Sequence, residues 1–215
     1  LKGGKKLEDA IMETIRKTVK ETEKVRFEGN GYSDDWVQEA SRRGLPNLRK
    51  TPEALAQLSE VKATELFAKM EIFTSAEVHS RLHVRLERYI KNMQIEVETL
   101  RSMIDTQILP ACYAYSGDLA NSVKANADAG VPAPQKETLT KLNGLIGSLH
   151  QKRKELEAVH HKAESAAAEE EKAKHYAADV STAMGEVRGV VDELEAMVGD
   201  DYWPLPKYRE MLFSL

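Results

Sequence analysis

A chain of 215 residues is long enough for one domain with a full core or for two small helical lobes, so length alone excludes little. With 31% charged and only 6% aromatic residues, and an abundance of Ala, Glu, Lys and Leu, the composition excludes a sheet-built protein and points to long helices. A net charge of −4 gives neither nucleic acid nor an anionic membrane an electrostatic reason to bind, and no apolar run reaches the ~20 residues that a membrane-spanning helix needs.

The chain opens on Leu1, inside a helical pattern rather than at an initiator Met, from which a preceding part of the natural polypeptide is expected. Leu7, Ile11, Ile15 and Val19 recur at the helical period. Glu8 and Asp9 at the start and Lys17, Lys20 and Lys24 toward the end complement the macrodipole of that helix. Gly29-Asn30-Gly31 stops it, because these residues tolerate left-handed turn conformations. Ser33 then caps a short helix carrying Trp36, Val37 and Ala40 and ending near Gly44. Thr51-Pro52-Glu53 opens another short helix, and a further one runs from about Val61 to Met70.

The remainder is longer-ranged. From a cap at Thr74 or Ser75, apolar residues spaced by three or four run from Val78 through Leu82, Leu86, Met93, Val97 and Ile104 to Ile108, which predicts one long amphipathic helix. Pro110 removes a backbone donor and crowds the preceding turn, so the sequence allows a kink or a complete fold-back there. Gly130-Val131-Pro132-Ala133-Pro134 is the clearest reversal. Beyond it Leu139, Leu142, Leu149, Leu156, Val180, Val187, Leu194 and Val198 continue a seam for some sixty residues, with the Ala166–Ala168 and Glu169–Glu171 runs read as a solvated stretch of that helix. The expected fold is therefore all-α: a short-helix cluster, then a long antiparallel hairpin over 76–198, coiled-coil or bundle-like, and an aromatic tail over 200–215.

Chemistry-bearing motifs are few. His79 and His83 lie one turn apart with Glu87 a turn further, a possible ligand ladder, but a charged solvated face explains the spacing better. Glu157 and His160 match the E-x-x-H spacing of di-iron bundles, yet the second copy that such a site needs is missing. Gly3-Gly4-Lys5 lacks the spacing of a phosphate loop, and Gly29-x-Gly31 is a turn. The single Cys112 sits among apolar residues without a nearby His, which reads as a small buried hydrophobe in a reducing, cytoplasmic compartment. No catalytic, cofactor-binding or metal-binding residue is expected in this chain. The residues singled out are structural or interfacial: Trp36, Pro110, Trp203, Pro204, Tyr208 and Phe213. The tail from Tyr202 is expected to close the base of the hairpin against the cluster that contains Trp36, Leu55, Leu58, Leu66 and Phe67.

Three stretches carry a resemblance. Val25-Arg26-Phe27-Glu28-Gly29-Asn30-Gly31-Tyr32-Ser33-Asp34-Asp35-Trp36 with Arg43-Gly44-Leu45-Pro46-Asn47-Leu48, the segment Ala76-Glu77-Val78-His79-Ser80-Arg81, and the ending Asp200-Asp201-Tyr202-Trp203-Pro204-Leu205-Pro206-Lys207-Tyr208-Arg209-Glu210-Met211-Leu212-Phe213 are similar to the C-terminal part of type III glutamine synthetases. The resemblance implies that residues 1–50 correspond to the terminal helices of the catalytic core and 51–215 to a C-terminal extension serving assembly or regulation. It implies a parent enzyme that ligates ammonia to glutamate with ATP and a divalent metal, Mg or Mn. The partners it implies are the upstream catalytic domain of the same polypeptide and other subunits of a homo-oligomer. Two alternatives from other classes are a free-standing coiled-coil interaction module and a helical-bundle metalloenzyme using His79, His83 or His160.

Overall fold

The computed structural model describes residues 6–213, except for the side chains of residues 208, 209 and 213. The chain divides into two compact units, Leu1–Arg49 and Lys50–Leu215. All regular structure among the described residues is helical.

In the first unit, α1 (Leu7–Glu21) runs into a 3₁₀ turn at Glu23–Val25, and α2 (Asp34–Arg42) follows the Gly29-Asn30-Gly31 turn. Ser33 is the residue before α2, but its hydroxyl donates back to the Asn30 carbonyl at 2.7 Å instead of capping the helix. Arg43 ties the unit together. Its guanidinium donates to the carbonyl of Arg26 at 2.6 Å and lies 5.8 Å from the centre of the Trp36 ring, which in turn packs on Phe27 at 4.7 Å. Phe27 leans so close to Gly29 that an added Cβ there would meet the ring at 2.6 Å, which explains a glycine at that turn.

The second unit starts with α3 (Thr51–Ala56), which carries Pro52 in its first turn, and α4 (Val61–Lys69). α5 (Ser75–Met103) begins with a full capping box, the Glu77 amide donating to Thr74 Oγ1 and the Thr74 amide to the Glu77 carboxylate. It continues without interruption through a π turn at Ile104–Ile108 into α6 (Leu109–Asp128). The helix thus keeps right-handed helical dihedrals past Pro110, and α6 packs on the next helix rather than back on α5. The π turn reconciles the proline with a continuing helix: the Leu109 amide reaches back to the carbonyl of Ile104, five residues away. The extra residue also lets the neighbours Ile108 and Leu109 both face the core.

Gly130, at φ 70°, ends α6, and α7 (Gln135–Ser165) returns antiparallel to it. A second reversal then follows. α7 stops at Ser165, Ala166 and Ala168 are extended, and α8 (Glu169–His175), a second π turn at Tyr176–Val180 and α9 (Ser181–Met197) run antiparallel to α7 and alongside α5 and α6. The expected single hairpin over 76–198 is accordingly a three-pass helical bundle, in which α7 packs on both α6 and α9 while α8 also meets α5. The correction has a local cause: Glu169, Glu170 and Glu171 stand in the first turn of a new helix, where acidic side chains complement its macrodipole.

The extra reversal moves the tail. Val198 ends at the level of α6, and Tyr115 and Tyr202 pack with ring centres 5.2 Å apart while the Tyr202 hydroxyl donates to Asp118. α3 and α4 instead pack on the start of α5, with α3 also resting on α8. The tail therefore does not close the base against Leu55, Leu58, Leu66 and Phe67; it docks on α6, some 35 residues further along the same helix, roughly 50 Å at ~1.5 Å per residue.

Trp203 belongs to the main core at 7% exposure, although its indole Nε1 has no acceptor among the described residues. Trp203→Ala is expected to destabilise the chain by about 3–5 kcal/mol in chemical denaturation, whereas Trp203→Phe should cost less than about 1.5 kcal/mol because no hydrogen bond is lost. Equal costs would show that the indole packing does not anchor the tail.

Candidate functional site

The histidine ladder on α5 does not converge. The His79 Nδ1 faces the carbonyl of Ser75 at 2.8 Å, His83 Nδ1 faces Glu169 of α8 at 2.6 Å, and Glu87 pairs with Lys91 at 2.9 Å. The Lys91 hydrogen bond holds the Glu87 carboxyl below its ordinary value. Glu157 and His160 also part company. Glu157 accepts from Arg101 at 2.8 Å and from Arg153 at 3.3 Å, whereas His160 turns into the core beside the Tyr176 hydroxyl at 3.2 Å. Among the described residues no group of three His, Cys, Asp or Glu is placed to hold a metal ion.

Cys112 is fully buried, and desolvation pushes its thiol up to about 11. At neutral pH it is a buried thiol rather than a thiolate, so it is not poised as a nucleophile.

Of the residues singled out from sequence, Trp36 stacks within the first unit and Pro110 is exposed in the first turn of α6. Trp203 is buried and Pro204 exposed, in a segment where Lys207 Nζ donates to Asp200 at 2.7 Å and to the Val198 carbonyl at 3.4 Å. α10 (Tyr208–Phe213) follows, but the side chains of Tyr208 and Phe213 lie outside the described residues.

What sequence inspection missed are the groups that set the register of α7. Asp105, on the first π turn, receives Arg153 Nε and Nη2 in a bidentate pair, both at 2.5 Å. Lys152 donates to Glu155 of its own helix at 2.9 Å and to Glu186 of α9 at 2.8 Å, and these bonds raise its pKa. Tyr176, fully buried at the start of the second π turn, reaches His160 from the α9 side. The only sequence signals were charges standing at positions where the apolar seam of α7 skips a turn, between Leu149 and Leu156. An open groove between α5 and α9 is lined by Met93, Leu100, Met103, Met184 and Gly185.

Two outcomes check this geometry. Tyr176→Phe removes the hydroxyl that faces buried His160 and should cost about 1–3 kcal/mol, since a buried polar group is left unpaired. Cys112 should resist iodoacetamide at about pH 8 in the native chain and react readily in denaturant; rapid native labelling would contradict its burial and its raised pKa.

Comparison with known proteins places this helical unit. The model of the glutamine synthetase C-terminal domain matches residues 10–127. A glutamine synthetase of Butyrivibrio fibrisolvens is 34% identical over 215 residues, covering 99% of this chain and 31% of the relative. A type-3 glutamine synthetase of Dictyostelium discoideum is 33% identical over 211 residues, covering 95% and 29%, and a glutamine synthetase of Bacteroides fragilis is 30% identical over 214 residues, covering 96% and 29%. The chain thus spans about a third or less of the length of these relatives. Among the described residues no helix is long and apolar enough to cross a membrane. With a family model matched over more than half its length, the chain belongs to the glutamine synthetase family and is a C-terminal region of the type III kind.

Proposed function

We infer that this region is a non-catalytic helical accessory of a larger enzyme that ligates ammonia to glutamate at the expense of ATP, and that it serves the assembly or regulation of that enzyme. The observation that carries this reading is the apolar face of α1. Leu7, Ile11, Met12, Ile15 and Val19 are 44–60% exposed in a helix that has no buried residue of its own. A stripe of five large apolar side chains left in water invites association, so α1 is built to rest on something else. The upstream catalytic domain of the same polypeptide is the natural seat: residues 1–50 act as the closing helices of that domain, and 51–215 as the extension that they carry.

ATP and a divalent cation belong to that upstream part. The donor set here does not fit a metal, because His79, His83, Glu87, Glu157 and His160 are each turned to a different partner. Homo-oligomeric neighbours are the second partner, reached through the exposed faces of the three-pass bundle. A buried free cysteine without a second one to pair with suits a reducing cytoplasm.

Two measurements test the reading. The isolated chain should form no glutamine from glutamate, ammonia and ATP above a mock preparation. Removing residues 51–215 from the full-length enzyme should change its oligomer in sedimentation velocity, or its response to effectors. Turnover by the isolated chain, or a truncated enzyme unchanged in both assembly and response, overturns it.

A further inference from the structure

Helix α5 buries one face and leaves a second, regular seam in water. Leu82, Leu86, Ile90, Met93 and Val97 are buried on the first. On the other side Arg81, Val84, Arg88, Lys91, Ile95 and Glu98 are all exposed, and they follow one another by three and four residues in alternation. That is the spacing by which one helix offers a seam to another.

The exposed seam has apolar knobs and a charge pattern. Val84 and Ile95 are the large apolar side chains that α5 leaves in water, at 57% and 62% exposure. Val84 shares an open surface depression with Ser80, Arg81 and Arg85. Basic residues fill the first half of the face, Arg81, Arg85 and Arg88, and acidic ones the second, Glu96 and Glu98. Arg81 rests on the Phe73 ring at 4.5 Å, whereas Arg85, Arg88, Glu96 and Glu98 make no hydrogen bond or ion pair among the described residues. Like charges three and four residues apart repel, so the arginine half is unfavourable while it stands alone.

We propose that α5 pairs antiparallel with α5 of a second copy of this chain across a two-fold axis, Val84 of each copy meeting Ile95 of the other and Arg81 meeting Glu98. Both pairs are centred on the same point of the helix, between residues 89 and 90, so one axis satisfies them together. Ile95 of one copy enters the depression at Val84 of the other as a knob enters a hole. Arg88 and Lys91 meet near the axis, where Glu87, 2.9 Å from the Lys91 ammonium, supplies the compensating carboxylate. A second copy fits this face better than an unrelated acidic or basic partner, because a partner of one sign would be repelled by half of it, whereas the reversed face is its own complement. The inference rests on the reading that this region meets other subunits of a homo-oligomer, and it names the face that does so.

Sedimentation velocity of the chain should show a reversible monomer–dimer equilibrium within about 0.01–1 mM, the range of a small, polar interface, and the dimer should weaken as salt is raised. Arg81→Glu alone, or Glu98→Arg alone, brings like charges together at both symmetry-related positions and should weaken the dimer about five- to thirtyfold. The exchange Arg81→Glu with Glu98→Arg recreates both pairs with their signs reversed and should restore it to within about threefold. All three variants change exposed side chains, and circular dichroism checks that they stay helical. In a Cys112→Ala background, spin labels at Asn92 should lie below about 25 Å from copy to copy and those at Ser80 about 30–35 Å, from the rise of an antiparallel pair. A chain that stays monomeric, a dimer indifferent to the single reversals, reversals that the exchange does not rescue, or equal short distances at both labels overturns the proposal. If removing residues 51–215 changes the oligomer of the full-length enzyme while these variants change nothing, the assembly reading stands and this pairing falls.

Discussion

Helix α7 has to satisfy two neighbours at once, and the second unit follows from how it does so. Leu142, Leu149, Leu156 and Ala163 are fully buried along it, with α6 and α5 on one flank and α9 and α8 on the other. Burying a side chain of that size contributes about 1.5–3 kcal/mol, so the apolar seam supplies most of the cohesion. It does not by itself fix the register, because a seam of leucines tolerates a slip of one turn. The directional contacts do that. Arg153 to Asp105 and Arg101 to Glu157 lock α7 to the first strand, and Lys152 to Glu186 together with His160 to Tyr176 lock it to the third.

The two π turns belong to the same solution. The first, at Ile104–Ile108, brings Asp105 opposite Arg153 and absorbs Pro110 in a continuous helix; the second, at Tyr176–Val180, turns Tyr176 and Ala177 inward together. The π-helix occurs mostly as single turns of this kind inserted in an α-helix. A helix without them would carry its seam away from α7 on either flank.

The sequence made the helical class, the short elements before Thr74 and the turn at Gly130 legible, because each has a local signature of caps, glycines, prolines or period. The second reversal was not legible in the same way. Ala166, Ala167 and Ala168 are strong helix formers, and nothing in their own chemistry breaks a helix. The break comes from the charges beyond them and from the tertiary gain of folding α8 and α9 back onto α7. The misplaced tail follows from that one missed turn. The register pairs were hidden for another reason: Asp105 and Arg153 are 48 positions apart, and a charge on a helix face looks the same whether it meets water or a partner. Membership of the family, by contrast, rested on the unusual Arg-Phe-Glu-Gly-Asn-Gly-Tyr and Asp-Tyr-Trp-Pro-Leu-Pro stretches, and the relatives match over nearly the whole chain.

The division of labour inferred for this region depends on the three-pass bundle being real, since that architecture presents the tail far from α3. Spin labels placed in a Cys112→Ala background at the exposed positions Asn121, Asp201 and Ser80 measure it by pulsed electron resonance. The account predicts a short distance, below about 25 Å, between 121 and 201, and roughly 50 Å or more between 80 and 201, from the rise of α5 and α6. A short 80–201 distance with a long 121–201 distance would restore the simple hairpin and contradict the account.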